Sequence, residues 1–76
     1  MTEYKVNFMW DAEAAVWVAT SDDIQGLVLE HGSLDVLMER VKLAAPELIE
    51  LNHENYPKQF DLLYSTQRLE RVALHG

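Results

Sequence analysis

Hydrophobic and polar residues alternate along a first segment near the start of the chain, residues 4–10. The residues on one side of the first segment are large and mostly aromatic: Tyr4, Val6, Phe8 and Trp10. A two-residue period in a segment rich in aromatic and β-branched residues predicts a β-strand. Residues 16–20 predict a second strand after a short connection, so we expect the two strands to form an antiparallel hairpin.

A turn and a third short strand are predicted next. Residues 21–26 combine small polar side chains, which hydrogen-bond to their own backbone, with Gly26, which tolerates a positive φ. The apolar segment from Leu27 to His31 is short enough to be a third strand.

The pattern then changes to one apolar residue every three or four positions. This stripe predicts an α-helix and consists of Leu34, Leu37, Met38, Val41, Ala44, Ala45 and Leu48. Ser33 is a natural N-cap, and Asp35 places a negative charge in the first turn, where the helix dipole favours it. Because Pro46 lacks an N–H, we expect it to bend or interrupt the helix, or to begin a second short helix through Leu51.

Alternation returns at Phe60 and predicts a fourth strand, after a loop over residues 52–58. The predicted fold is therefore α+β, in the order β-β-β-α-β: an antiparallel sheet with one long, proline-interrupted helix on one face. We expect Met9, Trp17 and Ala19 to point to the other face, which has no helix to cover it. Trp17 is then either part of an association surface or the cover of an edge loop.

Length and composition indicate the number of domains, their sources of stability and the location of the protein. Seventy-six residues, 49% of them hydrophobic, predict a single globular domain spanning residues 1–76. The lack of cysteine excludes disulfides and thiolate metal sites, so we expect self-association or docking on another chain to supply further stability. The longest apolar run, residues 14–19, is too short to cross a membrane, and residues 1–5 lack the basic start and apolar stretch expected of a signal peptide. We expect a cytoplasmic protein with no membrane association.

The net charge of −7 is unevenly distributed. No lysine or arginine occurs from Val6 to Glu39, a stretch that contains seven acidic residues: Asp11, Glu13, Asp22, Asp23, Glu30, Asp35 and Glu39. Such a field repels nucleic-acid phosphates and attracts basic proteins. It can equally serve solubility alone.

Candidate chemistry is sparse. A hydrolase using Glu13 with Asp22 or Asp23 is conceivable, but adjacent acids in a turn are more often turn formers. Ser33 is explained as a helix cap, and no glycine-rich phosphate loop is present. Three histidines lack metal-ligand spacing on one element: His31, His53 and His75. We therefore expect no enzymatic activity, no cofactor and no metal site.

Three segments resemble the HicB antitoxin family: residues 10–19, 21–27 and 32–34. In that family a hairpin with an Asp-x-Glu turn, here Asp11 and Glu13, precedes a turn of acidic and apolar residues with glycine. A Thr- or Ser-capped helix follows. The tryptophans and residues 45–48 resemble a compact, single-domain branch of that superfamily of largely unknown function. The resemblance covers residues 4 to about 52.

The resemblance implies a β-β-β-α-β fold similar to part of a double-stranded-RNA-binding fold. Members of the family neutralise HicA, a small basic ribonuclease toxin, by covering its active surface. Many members also carry a C-terminal DNA-binding domain. Because this sequence ends at Gly76, we do not expect autorepression to reside in it.

Two functional hypotheses follow. The first is a protein-binding domain of HicB type that neutralises a HicA-type toxin. Its candidate partner-binding residues, chosen by charge and expected exposure, are Trp17, Asp22, Asp23, Glu30 and Glu47. The alternative is a stand-alone structural or scaffold domain, a homo-oligomer (dimer or tetramer) that pairs its uncovered sheet face.

Overall fold

A computed structural model describes residues 2–75 as a four-stranded sheet with one helix packed against it. The elements in chain order are β1 (Thr2–Asp11), β2 (Val16–Thr20), β3 (Val28–His31), α1 (Leu34–Asn52) and β4 (Phe60–Gln67). The α+β class and the order β-β-β-α-β are therefore confirmed. In the sheet the strands lie in the order β3-β2-β1-β4, so β1 is flanked by β2 and β4.

The sheet is mixed, and the expectation of an antiparallel sheet is wrong for its last strand. β1 pairs antiparallel with β2 but parallel with β4, with Thr2 opposite Phe60 and Met9 opposite Gln67. The physical reason lies in the chain path. Two antiparallel pairings make β3 run in the direction of β1. The single helix then returns the chain to the starting end, so β4 must run parallel to β1.

The helix continues through Pro46, so the predicted interruption is wrong. A proline inside a helix removes one backbone hydrogen bond, here to the carbonyl of Lys42. The side chains of Ala45 and Ile49 are buried on either side of it and hold both turns against the core. At the other end the Val36 N–H donates to Ser33 Oγ at 3.3 Å, which confirms Ser33 as the N-cap.

The core lies between the helix and the sheet. Nine residues form it: Val6, Phe8, Ala19, Ile24, Leu27, Leu37, Val41, Ala45 and Ile49. The alternation predicted for β1 is confirmed, because Val6 and Phe8 are fully buried. Ile24 lies in the turn predicted from small polar residues, and Leu27 follows that turn. Both are nearly as buried as the core residues of the strands. Burying a side chain of this size stabilises a fold by roughly 1.5–3 kcal/mol.

Trp17 and Ala19 point to the helix side of the sheet, so the expected orientation of these two residues is wrong. Trp17 lies opposite Trp10, and Ala19 lies opposite Phe8. Residues directly opposite each other in a pair of strands share a face. The hairpin register therefore places Val18 on the uncovered face, opposite Met9. The expected orientation of Met9 was right.

Candidate protein-binding surfaces

The turn after β2 is fixed to the central strand by its own side chains. The Ser21 hydroxyl accepts the N–H groups of Asp23 and Ile24, each at 3.1 Å, and donates to the carbonyl of Lys5. Asp23 Oδ2 accepts the Lys5 N–H at 2.7 Å. These bonds continue the pairing of β1 beyond Asn7, where its backbone ladder with β2 ends. Asp23 therefore has a structural role, while Asp22 beside it is exposed without one.

This turn belongs to an end of the molecule that is rich in carboxylates. The starts of β1, β3 and β4 meet there with the ends of β2 and α1, because the strands and the helix alternate in direction. We name this region the acidic end, after its seven residues: Glu3, Asp22, Asp23, Glu47, Glu50, Glu54 and Asp61. The Asn52 side-chain amide donates to the Gln25 carbonyl at 3.1 Å and joins the helix terminus to the turn.

The negative field at the acidic end is little compensated. The last helical turn, where the helix dipole is negative, contains no basic residue. Lys5 and Lys58 are the bases in the segments that meet there. Across residues 2–75 the one ion pair joins Arg68 to Glu70 at 2.7 Å, so the seven carboxylates have no ion-pair partner in that part of the chain.

The structure brings three of the five predicted contact residues to one end. Asp22, Asp23 and Glu47 belong to the acidic end. Glu30 lies on the uncovered face of β3, opposite Val18, and Trp17 lies near the other end of β2. The five therefore do not form one continuous surface, and their contact with a partner stays a prediction.

Two tryptophans and an arginine lie at the end of the sheet opposite the acidic end. The rings of Trp10 and Trp17 meet edge to face, with centroids 5.5 Å apart and planes at 61°. The Cζ atom of Arg68 lies 4.3 Å from the Trp10 ring centroid, a cation–π geometry. Sequence reasoning missed Arg68, because only the parallel pairing of β4 with β1 places it beside Trp10.

The uncovered sheet face is mixed rather than uniformly apolar. Met9, Val28 and Leu63 are its exposed large hydrophobic residues. Between them lie Lys5, Asn7, Thr20, Glu30, Ser65 and Gln67. None of the elements formed by residues 2–75 covers this face.

A groove runs between α1 and β4. It has a volume of about 530 Å³ and is lined by Lys42, Pro46, Phe60, Asp61, Leu62 and Tyr64. Phe60, Leu62 and Tyr64 are only half-buried, because the helix lies over β2 and β3. The Tyr64 hydroxyl donates to the Met38 carbonyl at 3.2 Å across the groove. Burial, and then the charge of Glu39, raise the pKa of Tyr64.

Beyond β4 the chain continues without helix or strand. We name residues 68–75 the C-terminal arm. Its hydrophobic side chains are almost fully solvent-accessible: Leu69 at 90%, Val72 at 82% and Leu74 at 95%. The sequence pattern did not indicate that these apolar residues would be left exposed.

The structure of residues 2–75 can be compared with the expectations about a metal site, a hydrolytic pair and a membrane-spanning segment. No group of three or more histidine, aspartate or glutamate side chains there could hold a metal ion. Glu13 and the pair Asp22 and Asp23 lie beyond opposite ends of β2, a five-residue strand about 17 Å long. The structure therefore does not bring the proposed hydrolytic carboxylates together. Within the same residues, α1 lacks an apolar stretch long enough to span a bilayer.

These features define an α+β domain with a mixed sheet, one covering helix and a projecting C-terminal arm. The chain belongs to the family described as "Domain of unknown function (DUF1902)", whose model matches residues 3–75. It is similar to the crystal structure of hypothetical protein TTHA1013 from the extremely thermophilic bacterium Thermus thermophilus. The two are 36% identical with a TM-score of 0.79, over 92% of this chain and 99% of that one.

No curated protein matches the chain. Membership in a family of unknown function agrees with that part of the sequence interpretation. Neither the description of the family nor that of the Thermus protein mentions HicB. The HicB relationship therefore rests on the sequence motifs alone.

Proposed function

We propose that this chain is a protein-binding domain of HicB type whose acidic end binds a small basic protein, such as a HicA-type ribonuclease toxin. A ribonuclease needs a basic surface to hold RNA phosphates. A carboxylate-rich surface seated on it competes directly with the RNA. Inhibition by this route needs no catalytic group in the chain.

The observation that carries this proposal is the acidic end itself. Seven carboxylates from five separate segments converge there with the C-terminus of a helix, and those carboxylates have no ion-pair partner within residues 2–75. Convergent like charges raise the local potential and accelerate encounter with an oppositely charged protein. Because the carboxylates are exposed, we expect binding to weaken as salt rises.

The test is a titration of the purified chain against the small basic protein encoded by an adjacent gene, or against a HicA-type ribonuclease. The readouts are the dissociation constant and cleavage of an RNA substrate, each at low and at raised salt. We expect inhibition in proportion to bound chain, with weaker binding at raised salt. Absence of binding to either protein at low salt contradicts the proposal.

A pair of matched variants locates the contact. Asp22→Asn with Glu47→Gln removes two charges from the acidic end and leaves the bonds of Asp23 intact. Glu13→Gln with Asp35→Asn removes two charges from the opposite end, near the hairpin turn and the start of α1. We expect the first pair to weaken binding on the order of tenfold and the second to have little effect. Equal effects contradict docking through the acidic end.

A second candidate function is that of a homo-oligomeric structural domain. It is favoured by a different observation, the exposed hydrophobic side chains of the C-terminal arm. Contiguous exposed apolar residues are typical of association sites. Variants separate the two functions, because Asp22 and Glu47 of the acidic end and Val72 and Leu74 of the arm belong to different segments.

A further inference from the structure

We propose that the chain forms a twofold-symmetric dimer in which the C-terminal arm of each copy lies along β4 of the other and covers its groove. This inference deepens the second candidate function, on which it rests. It does not require docking through the acidic end, with which the groove shares Asp61. The arm and the groove belong to the same chain, so one twofold axis satisfies both copies reciprocally.

The dimensions of the single chain indicate that one segment projects from the packed domain. The molecule measures 60 × 22 × 18 Å, with a radius of gyration of 15.0 Å. A compact domain of this length has a radius of gyration of about 11 Å. The long axis is thus set by a projecting segment, and the arm is the part of residues 2–75 that lies beyond the last strand.

Surface area supports the same conclusion. The chain exposes 6003 Å². A compact monomer of 8.8 kDa exposes about 4,800 Å². The surplus of about 1,200 Å² exceeds the roughly 800 Å² that each partner contributes to a standard protein interface. The arm, whose apolar side chains are almost fully exposed, contributes to this surplus.

The pattern of the arm suits the groove. If the arm continues as an extended strand, Val72 and Leu74 fall on the same face as Leu62 and Tyr64, because side chains alternate in a strand. Pairing of the arm with a partner's β4, in a register that keeps these faces aligned, places Val72 and Leu74 over the groove. The arm also contains no proline that would prevent pairing.

The edge of β4 is suited to receive such a strand. Within residues 2–75 β4 pairs with β1 alone, so the backbone groups along its outer side are free. β4 has eight residues, as many as the arm, and contains no proline or glycine. A free edge of this kind accepts an added strand, with main-chain hydrogen bonds for affinity and side-chain pockets for specificity.

Charge also favours a second copy as the occupant. The arm has two arginines and one glutamate, a net charge of +1, whereas residues 1–67 have four basic and twelve acidic residues, a net charge of −8. The arm cannot reach the groove of its own chain without reversing at Arg68. Arg68 is held over Trp10 at the far end of β4, so the arm continues away from the body.

The first test is sedimentation equilibrium of the full chain, for which we expect a mass of about twice 8.8 kDa. Val72→Asp with Leu74→Asp should weaken the dimer on the order of 100-fold. Leu43→Asp is the control, because Leu43 is 73% exposed on the helix and does not line the groove. A monomer at every concentration, or a dimer that the arm variant does not weaken, would overturn the proposal.

The second test identifies the contact. The chain has no cysteine, so single cysteines can be introduced without background. In a mixture of Leu74→Cys and Lys42→Cys chains, we expect a disulfide between the arm of one chain and the groove of the other, because Leu74 faces the groove. A mixture of Leu74→Cys with Glu30→Cys, on the uncovered sheet face, should give none. Cross-linking to Glu30→Cys in preference to Lys42→Cys would overturn the proposal.

Discussion

The two sides of β1 differ in how backbone pairing and side-chain burial are provided. On one side, β2 and β3 are short, but the helix lies over them and the following turn buries Ile24 and Leu27. On the other side, β4 pairs with β1 over eight residues, yet its inward side chains are half-buried and its outer edge is open. The difference shows that backbone pairing and side-chain burial are supplied separately in this fold. β4 obtains its backbone pairing within the chain, but much of its side-chain burial is missing.

Truncation of the central core residue should give the largest effect and break the covered side. Phe8 is fully buried and meets Tyr64 edge to face at 4.9 Å. We expect Phe8→Ala to lower the free energy of unfolding by about 3–5 kcal/mol in chemical denaturation. The control is Leu74→Ala, measured at concentrations where the chain is monomeric, which should change stability by less than about 0.5 kcal/mol. A comparable loss in both variants would contradict the contrast between body and arm.

The turn after β2 offers the next largest effect. Asp23→Ala removes the acceptor of the Lys5 N–H and should cost about 1–2 kcal/mol of unfolding free energy. Asp22→Ala, the adjacent variant with the same change in charge, removes no hydrogen bond of this kind and should be nearly neutral. Thermal unfolding of the two variants side by side measures the difference. If both lose the same stability, net charge rather than the bond to β1 is responsible.

Tyr64 tests how far the groove side is stabilised by a single polar contact. Tyr64→Phe removes the hydrogen bond to the Met38 carbonyl and should cost about 1 kcal/mol. Burial raises the pKa of Tyr64 above its usual value of 10.0, so the folded state holds the phenolic proton more tightly than the unfolded state. The resulting stabilisation is fully present below pH 10 and is lost as the pH rises through the folded-state pKa.

The pH dependence separates this mechanism from a simple packing defect. In the wild-type chain the free energy of unfolding should fall with rising pH above about 10, and in Tyr64→Phe this component of the fall should be missing. Denaturation at pH 8 and at alkaline pH measures both. An identical alkaline decline in the two proteins would show that other groups cause it.

Arg68 should give the smallest effect. Arg68→Met retains an unbranched side chain against Trp10 but removes the charge, and we expect a loss of about 0.5–1 kcal/mol. Its ion pair with Glu70 is exposed and should contribute little. Tryptophan fluorescence during denaturation reports on the site directly, and Arg71→Met, in the exposed arm, is the control. Equal changes in the two variants would argue against the stacking contact.

The sequence pattern predicted every element, because each long segment has a clear two- or three-to-four-residue period. The direction of β4 could also have been deduced, since three strands and one returning helix leave no other path. The continuity of α1 through Pro46 could not, because it depends on the burial of Ala45 and Ile49 against strands distant in sequence. The face of Trp17 depends on the hairpin register, which shifts by one residue with the length of the turn.

The sequence predicted the surroundings of the contact residues less completely than it predicted the fold. Charge and expected exposure selected Asp22, Asp23 and Glu47, and the topology places all three at the acidic end. The charge pattern could not show that the Asp23 carboxylate accepts a hydrogen bond from the Lys5 N–H, because the two residues are far apart in sequence. Nor could it predict the groove and the exposed arm. Both follow from where the helix crosses the sheet, which no local pattern encodes.

The parallel pairing of β1 with β4 has a consequence for synthesis of the chain. The first strand made is the central one, and one of its two neighbours is the last strand made. While the ribosome adds residues 12–59, β1 can pair with β2 but its other edge has no partner. Contacts between distant segments also form slowly. The nascent chain therefore presents an open, hydrophobic strand edge to its surroundings until Gln67 has emerged, and this is the period in which chaperone binding should matter most.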